Sequence, residues 1–190
     1  MKYKTSAVRA HKERNEFMKI KVRLLCSVFL LLLLFTACTT KVDTSSPKGI
    51  TEAFLASMQK GDYQKACTYA GIEFDEKTYE KSAALQKELM KETYANMEFE
   101  IGDETVKEDK AIVAVTVRNS NYIELLNDAI YQTMKESEDD AYTKKKYRAA
   151  MKKADKKELE VLVNYRREKE KWVFDGSNSQ LYAAMLGYLQ

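Results

Sequence analysis

Histidine is nearly missing from this chain of 190 residues: there is one, His11, and it lies upstream of the main apolar run. Beyond that point neither a Ser-His-Asp nor a Cys-His arrangement can be built, and the usual histidine-containing zinc sites are excluded with them. Proline occurs once, at Pro47, and glycine six times, so rigid or loop-rich architecture has little to work with. Cysteine occurs three times, at Cys26, Cys38 and Cys67. The one long apolar run, Leu24 to Phe35, has 12 residues and is interrupted only by Ser27. A bilayer span takes about 20, so the run is too short to cross a membrane and suits the apolar region of a secretory signal.

What surrounds that run supports the same reading. Lys19, Lys21 and Arg23 precede it, and the small residues Thr36 and Ala37 lead into Cys38. Phe35-Thr36-Ala37-Cys38 resembles the lipobox of bacterial lipoproteins, in which the cysteine is lipidated and becomes the mature N-terminus. Leucine is commoner where Phe35 stands. An ordinary signal peptide cleaved near Ala37, or an uncleaved anchor, are the alternatives. Residues 1–37 are therefore expected to be a signal peptide and 38–46 a lipidated tether. Met18-Lys19-Ile20-Lys21-Val22-Arg23 is a compact signal start by itself, so translation is expected to begin at Met18. The resemblance implies a diacylglyceryl group on Cys38 and a place on the extracytoplasmic face of the cell membrane.

Cleavage before Cys38 changes the charge. Eight of the 32 Lys and Arg and two of the 29 Asp and Glu precede it, so the remaining 153 residues carry −3 where the whole chain carries +3. The basic balance belongs to the leader and supplies no argument for nucleic-acid binding. With Cys38 committed to lipid, Cys67 has no partner for a disulfide. It sits between Ala66 and Thr68 and reads as a small buried apolar residue.

The segment after the tether is helical. Ser46 is a candidate N-cap and Pro47 a first-turn residue; Ile50, Phe54 and Met58 repeat every four positions. Gly61 closes this helix and Asp62 caps the next, whose apolar side holds Tyr63, Ala66, Cys67 and Ala70. Gly71 ends it, and a third helix is expected over about 76–94. The period then changes to two. Met97, Phe99 and Ile101 mark a half-buried strand, Gly102 to Asp109 a turn region, and Ala111 to Val117 a second strand, apolar on both faces and therefore central.

Tyr122 to Met134 reads as helix again. Lys135 to Lys157 alternates acidic and basic runs and has two readings: a basic helix that touches anionic lipid or cell-wall polymer, or a solvated helix packed through Tyr147 and Met151, which the adjoining acidic stretch favours. Glu158 to Tyr165 is a third strand, Arg166 to Lys171 a charged turn, Trp172 to Phe174 a fourth strand, and Gln180 to Leu189 a short amphipathic helix.

This order predicts an α+β fold: N-terminal helices packed on a curved, mostly antiparallel four-stranded sheet, a helical insertion at about 122–157 between the second and third strands, and a short C-terminal helix. Two segments resemble nuclear transport factor 2-like domains. One is Ile50 to Ala66, with Lys60-Gly61-Asp62-Tyr63 and the pair Lys65-Ala66; the other is Lys171-Trp172-Val173-Phe174-Asp175-Gly176. The resemblance spans 47–190 and implies a cone with a pocket between sheet and helices, lined by Phe54, Tyr63, Tyr69, Phe99 and Trp172. Small lipoproteins of Gram-positive bacteria often carry such a domain, but the resemblance says fold and not chemistry. With no histidine after His11 and no carboxylate singled out in an apolar strand, the expected function is a non-catalytic module that binds a protein or small molecule, without cofactor or metal. The alternative is an isomerase or dehydratase using a buried carboxylate and a tyrosine. A third reading is assembly into a homodimer through the sheet.

Overall fold

The computed structural model describes residues 43–176 and 178–188. The signal segment, Cys38, most of the expected tether and Leu189 lie outside the described residues. Among the described residues, no helix is long and apolar enough to cross a membrane.

Seven helices and one four-stranded antiparallel sheet are present among them: α1 (Pro47–Lys60), α2 (Tyr63–Ala70), α3 (Glu76–Lys81), α4 (Ala84–Asn96), β1 (Glu98–Lys107), β2 (Lys110–Asn119), α5 (Tyr122–Glu136), α6 (Asp140–Met151), β3 (Lys157–Glu168), β4 (Lys171–Phe174) and α7 (Ser179–Met185). The strands lie in the order β1-β2-β3-β4 in a curved, open sheet. The α+β layout expected from the change of period is the one adopted, with the insertion between β2 and β3.

The first two helices start and stop where their caps stand. Ser46 Oγ accepts from Gly49 N at 3.1 Å, and Pro47 opens α1, where a missing N–H costs nothing. Gly61 closes α1 at φ 74°, and the Asp62 carboxylate caps α2. The third expected helix is divided. α3 ends at Ser82, whose backbone is extended, and α4 starts after Ala83. No glycine or proline marks this break, so tertiary packing sets it: Tyr79 turns towards Tyr63 and Phe74, while Leu89 enters a different apolar cluster.

The expected turn over 102–109 is also corrected. β1 continues to Lys107 through a bulge between Ile101 and Glu104. The bulge resets the side-chain alternation, and the edge strand beyond it is polar and solvated, which hid it from a search for period two. β2 is central, as expected, yet not closed on both faces. Ala111, Val113, Val115 and Val117 are buried, whereas Ile112 on the other face is exposed. The strand β3 extends to Glu168, leaving Lys169 and Glu170, both at positive φ, as a two-residue hairpin turn.

The inner face of the sheet carries the main core. Val113, Val115, Val163, Tyr165 and Phe174 meet Phe54 and Leu55 of α1 and Leu181 and Met185 of α7. A second cluster joins Leu89, Tyr122, Ala129 and Tyr147 from α4, α5 and α6. The highly charged α6 is thereby packed on the domain through Tyr147 and Met151. Its basic side chains are partly engaged inside the molecule. Lys144 pairs with Glu88, and Arg148 bonds Glu88 at 2.7 Å and both oxygens of Glu92 at 2.9 and 3.0 Å.

Candidate functional site: an aromatic cleft in the helical layer

Between the sheet and helices α1 and α7, Leu55, Tyr165, Phe174, Leu181 and Met185 pack as core, and a space of about 360 Å³ remains between Leu159, Glu160 and Val161 of β3 and Ser179, Gln180 and Ala183 of α7. A cleft of about 370 Å³ opens among the helices. α1 supplies Phe54 and Met58, and α2 supplies Tyr63 and Cys67. The left-handed turn at Gly71, φ 70°, brings Ile72 and Phe74 to the rim. Tyr79 of α3, Met90 and Tyr94 of α4 and Tyr182 of α7 close the wall, with Ser82, Gln86 and Lys87 also on it.

Rings dominate this wall. Tyr63 stands between two others, edge to face with Tyr79 at 5.7 Å and with Tyr94 at 5.8 Å. Tyr79 also meets Phe74 at 5.5 Å. Such tilted pairs set the positive edge of one ring against the negative face of the next. The Lys87 ammonium lies 5.2 Å from the centre of Tyr79 and donates to the Glu80 carbonyl at 3.1 Å, so this cation is already engaged.

Electrostatically the cleft is quiet. Burial, reinforced by Tyr79, pushes the Tyr63 phenol up to about 12. Burial raises Tyr94 as well, with smaller contributions from Tyr63, Tyr122 and Tyr182. It also raises Tyr182 and the Cys67 thiol. These groups stay neutral at physiological pH, and Cys67 is a poor nucleophile there. No Asp or Glu lines this cleft. Among the described residues, no cluster of three His, Cys, Asp or Glu is placed to hold a metal ion.

One atom is out of keeping with a plain core. Tyr63 Oη is buried and has no hydrogen-bond partner, the only such side-chain nitrogen or oxygen among the described residues. Leaving a buried hydroxyl unpaired costs about 1–3 kcal/mol.

Of the five lining residues expected from the sequence, Phe54 and Tyr63 are in this cleft. Tyr69, Phe99 and Trp172 are not brought to it. Tyr69 and Phe99 are half-buried against the main core, and Trp172 is a core residue of β4 with the Arg167 guanidinium 5.0 Å from its ring. Tyr79, Tyr94, Phe74 and Tyr182 escaped sequence reasoning. The signal available was the excess of tyrosine, 12 against seven phenylalanines, which does not say which faces meet.

Fold and cleft together define a small α+β domain with an apolar, aromatic cavity. No family model matches the chain. No curated protein matches it either. Two solved structures show slight likeness. One is a SEC-C motif containing protein from Rhodopseudomonas palustris, at 10% identity and TM-score 0.37, covering 70% of this chain and 77% of that one. The other is a candidate lipoprotein from Bacillus subtilis, at 17% identity and TM-score 0.40, covering 82% of this chain and 51% of that one. The chain thus spans about half the length of the Bacillus protein.

Proposed function

We propose that this chain is an extracytoplasmic lipoprotein, held to the cell membrane through a diacylglyceryl group on Cys38, whose domain binds a small apolar ligand in the aromatic cleft and performs no chemistry on it. The observation that carries the binding reading is the cleft itself. About 370 Å³ is at the small end of the range of about 300–1,000 Å³ usual for ligand sites, and it is apolar with few polar groups. The alternative reading, an isomerase or dehydratase, requires a carboxylate beside a tyrosine hydroxyl, and this cleft has tyrosines without one. The anchor rests on Lys19 to Cys38: a basic start, a 12-residue run that is apolar except for Ser27, two small residues and the cysteine. Two acyl chains make such attachment stable where one is marginal. Residues of the nuclear transport factor 2-like resemblance have structural work here, since Gly61 and Asp62 cap helices and Trp172 packs in the core.

Two measurements test the halves separately. Membrane fractionation with intact mass is expected to show wild type retained and carrying diacylglyceryl, and Cys38→Ala released or unprocessed. A fully processed Cys38→Ala protein that stays tightly bound to membranes removes the anchor. Native mass spectrometry of protein purified from membranes is expected to show a small-molecule adduct that is lost when Met90→Trp fills the cleft. An adduct unchanged by Met90→Trp removes the cleft as its site.

A further inference from the structure

Helix α5 is apolar on two sides, and only one of them is covered. Tyr122, Ala129 and Thr133 are buried, and Leu125 and Leu126 pack against the second core cluster. Ile123, Ile130, Tyr131 and Met134 are exposed, Tyr131 by 67% and Met134 by 75%. At about 100° per residue, Ile123, Asn127, Ile130 and Met134 fall within about 60° around the helix axis, with Tyr131 at their border. The stripe runs for about three turns. A solvated helix face is normally polar, and a continuous apolar stripe marks a contact surface. Its border says what covers it. Glu124, Asp128 and Lys135 share one edge of the stripe. Gln132 Nε2 donates to Asp128 at 2.8 Å, whereas Glu124 and Lys135 make no ion pair among the described residues. An anionic bilayer is repelled by these two acids and by the run from Glu136 to Asp140 that follows. A second copy of α5 laid antiparallel is not. Ile123 then meets Met134, Asn127 meets Ile130, and Lys135 of each copy comes beside Glu124 of the other. Parallel pairing would set Glu124 against Glu124 and Lys135 against Lys135.

We propose that the outer face of α5 pairs with the same face of a second copy of this chain, antiparallel about a two-fold axis between Asp128 and Ala129, with the apolar stripes in contact and Glu124 and Lys135 joined across both ends. A stripe of four apolar side chains is small beside the about 800 Å² per partner of a standard interface. The pairing is therefore weak in dilute solution and gains from confinement, which the anchor proposed on Cys38 would supply.

Photocrosslinking in bacterial cells tests this. The full chain carries p-benzoylphenylalanine at position 134 and is made together with a second, differently tagged copy. Irradiation is expected to give a product of twice the chain mass that holds both tags, with the new bond mapped by peptide mass spectrometry to α5 of the second copy near Ile123. The same photoreactive residue at position 162, where Leu162 is exposed on the outer face of the sheet, is expected to give no such product. Lys135→Glu and Glu124→Lys are each expected to lower the crosslinked yield about 3- to 10-fold, and the two together in one chain to restore it. Within one helix these residues stand about 16 Å apart, so the restoration cannot come from contact inside a chain. It cannot come from helix stability either, because the double reversal sets both charges against the helix dipole and would only add to the damage. No dimer from position 134, a dimer from position 162 alone, bonds from position 134 to lipid or to a different protein, or a double reversal no better than the single ones overturns the proposal. Fractionation of the same cells reads the anchor separately, so loss of pairing and loss of anchoring are distinguished.

Discussion

The hydroxyls of Thr93 and Tyr147 stand 2.6 Å apart where α4 meets α6, 54 residues apart in sequence. Thr93 Oγ1 already donates to the Leu89 carbonyl at 2.7 Å, so its one proton is used and Tyr147 is the donor. Thr51 and Tyr165 repeat the arrangement between α1 and β3: Thr51 donates to the Pro47 carbonyl at 2.8 Å, and the two hydroxyls are 2.6 Å apart. In both cases a helical threonine, bonded back to its own turn, offers its lone pair to a buried tyrosine from another element.

Tyr147→Phe is expected to destabilise the domain by about 1–2 kcal/mol, since the ring still fills its place and one buried bond is lost. Thr93→Val is expected to cost a similar amount. The double variant should cost less than the sum, because each single change already breaks the shared bond. Urea unfolding of the four proteins checks this. Strict additivity would mean that the two hydroxyls do not interact.

Asn119 is fully buried and satisfies its whole side chain. Nδ2 donates to the carbonyls of Thr93 at 3.0 Å and Met185 at 2.7 Å, while Oδ1 accepts from Asn96 Nδ2 at 3.1 Å and the Ser120 amide at 2.9 Å. One residue at the end of β2 thereby ties α4 to α7. Asn119→Ala is expected to cost about 2–4 kcal/mol, as it orphans several buried groups at once. Asn119→Asp should be at least as damaging, because a carboxylate has no proton for the two carbonyls. Thermal melting of both variants checks the order.

Gly71→Ala meets two obstacles. The residue sits at φ 70°, and an added Cβ would lie 2.5 Å from Val173 Cγ1. Left-handed strain plus overpacking predicts a loss of about 2–4 kcal/mol. At Gly176 an added Cβ finds nothing within 4 Å, so Gly176→Ala is expected to be within about 0.5 kcal/mol of wild type. Chemical denaturation of the pair measures the contrast; equal effects would contradict it.

The buried tyrosines set an alkaline limit. Tyr63 and Tyr147 are pushed from 10.0 up to about 12, chiefly by burial, and Tyr94 and Tyr165 are raised as well. The folded state binds these protons more tightly than the unfolded state. The associated stability is therefore fully present below pH 10 and is lost as pH rises from 10 towards 12 and beyond. Unfolding followed by circular dichroism should show a plateau at pH 7–9 and a fall above 10, with tyrosinate absorbance appearing alongside it. Tyr63→Phe is expected to soften that fall and, by removing an unpaired hydroxyl, to leave stability at pH 7 equal or slightly higher.

The local grammar of the fold was legible. Ser46, Pro47, Gly61, Asp62 and Gly71 act on the backbone within three or four residues, so their roles follow from residue type. The alternation in Leu159, Val161, Val163 and Tyr165 identified an inward face because a strand has a strict period of two. The break between Lys81 and Ala84 and the bulge after Ile101 were not legible, since neither carries a signal that only one conformation can meet.

For the cleft, sequence determined the supply of tyrosines, the absence of histidine after His11 and the placing of Phe54 and Tyr63 on helices. Tertiary structure decided that Tyr63 stands between Tyr79 and Tyr94, that Trp172 and Phe99 face other neighbours, and that Tyr63 Oη is left without a partner. The reason is range. Capping and periodicity act along the chain, whereas a cavity is made where elements from α1 to α7 fail to fill the space between them, and only their packing determines where that is.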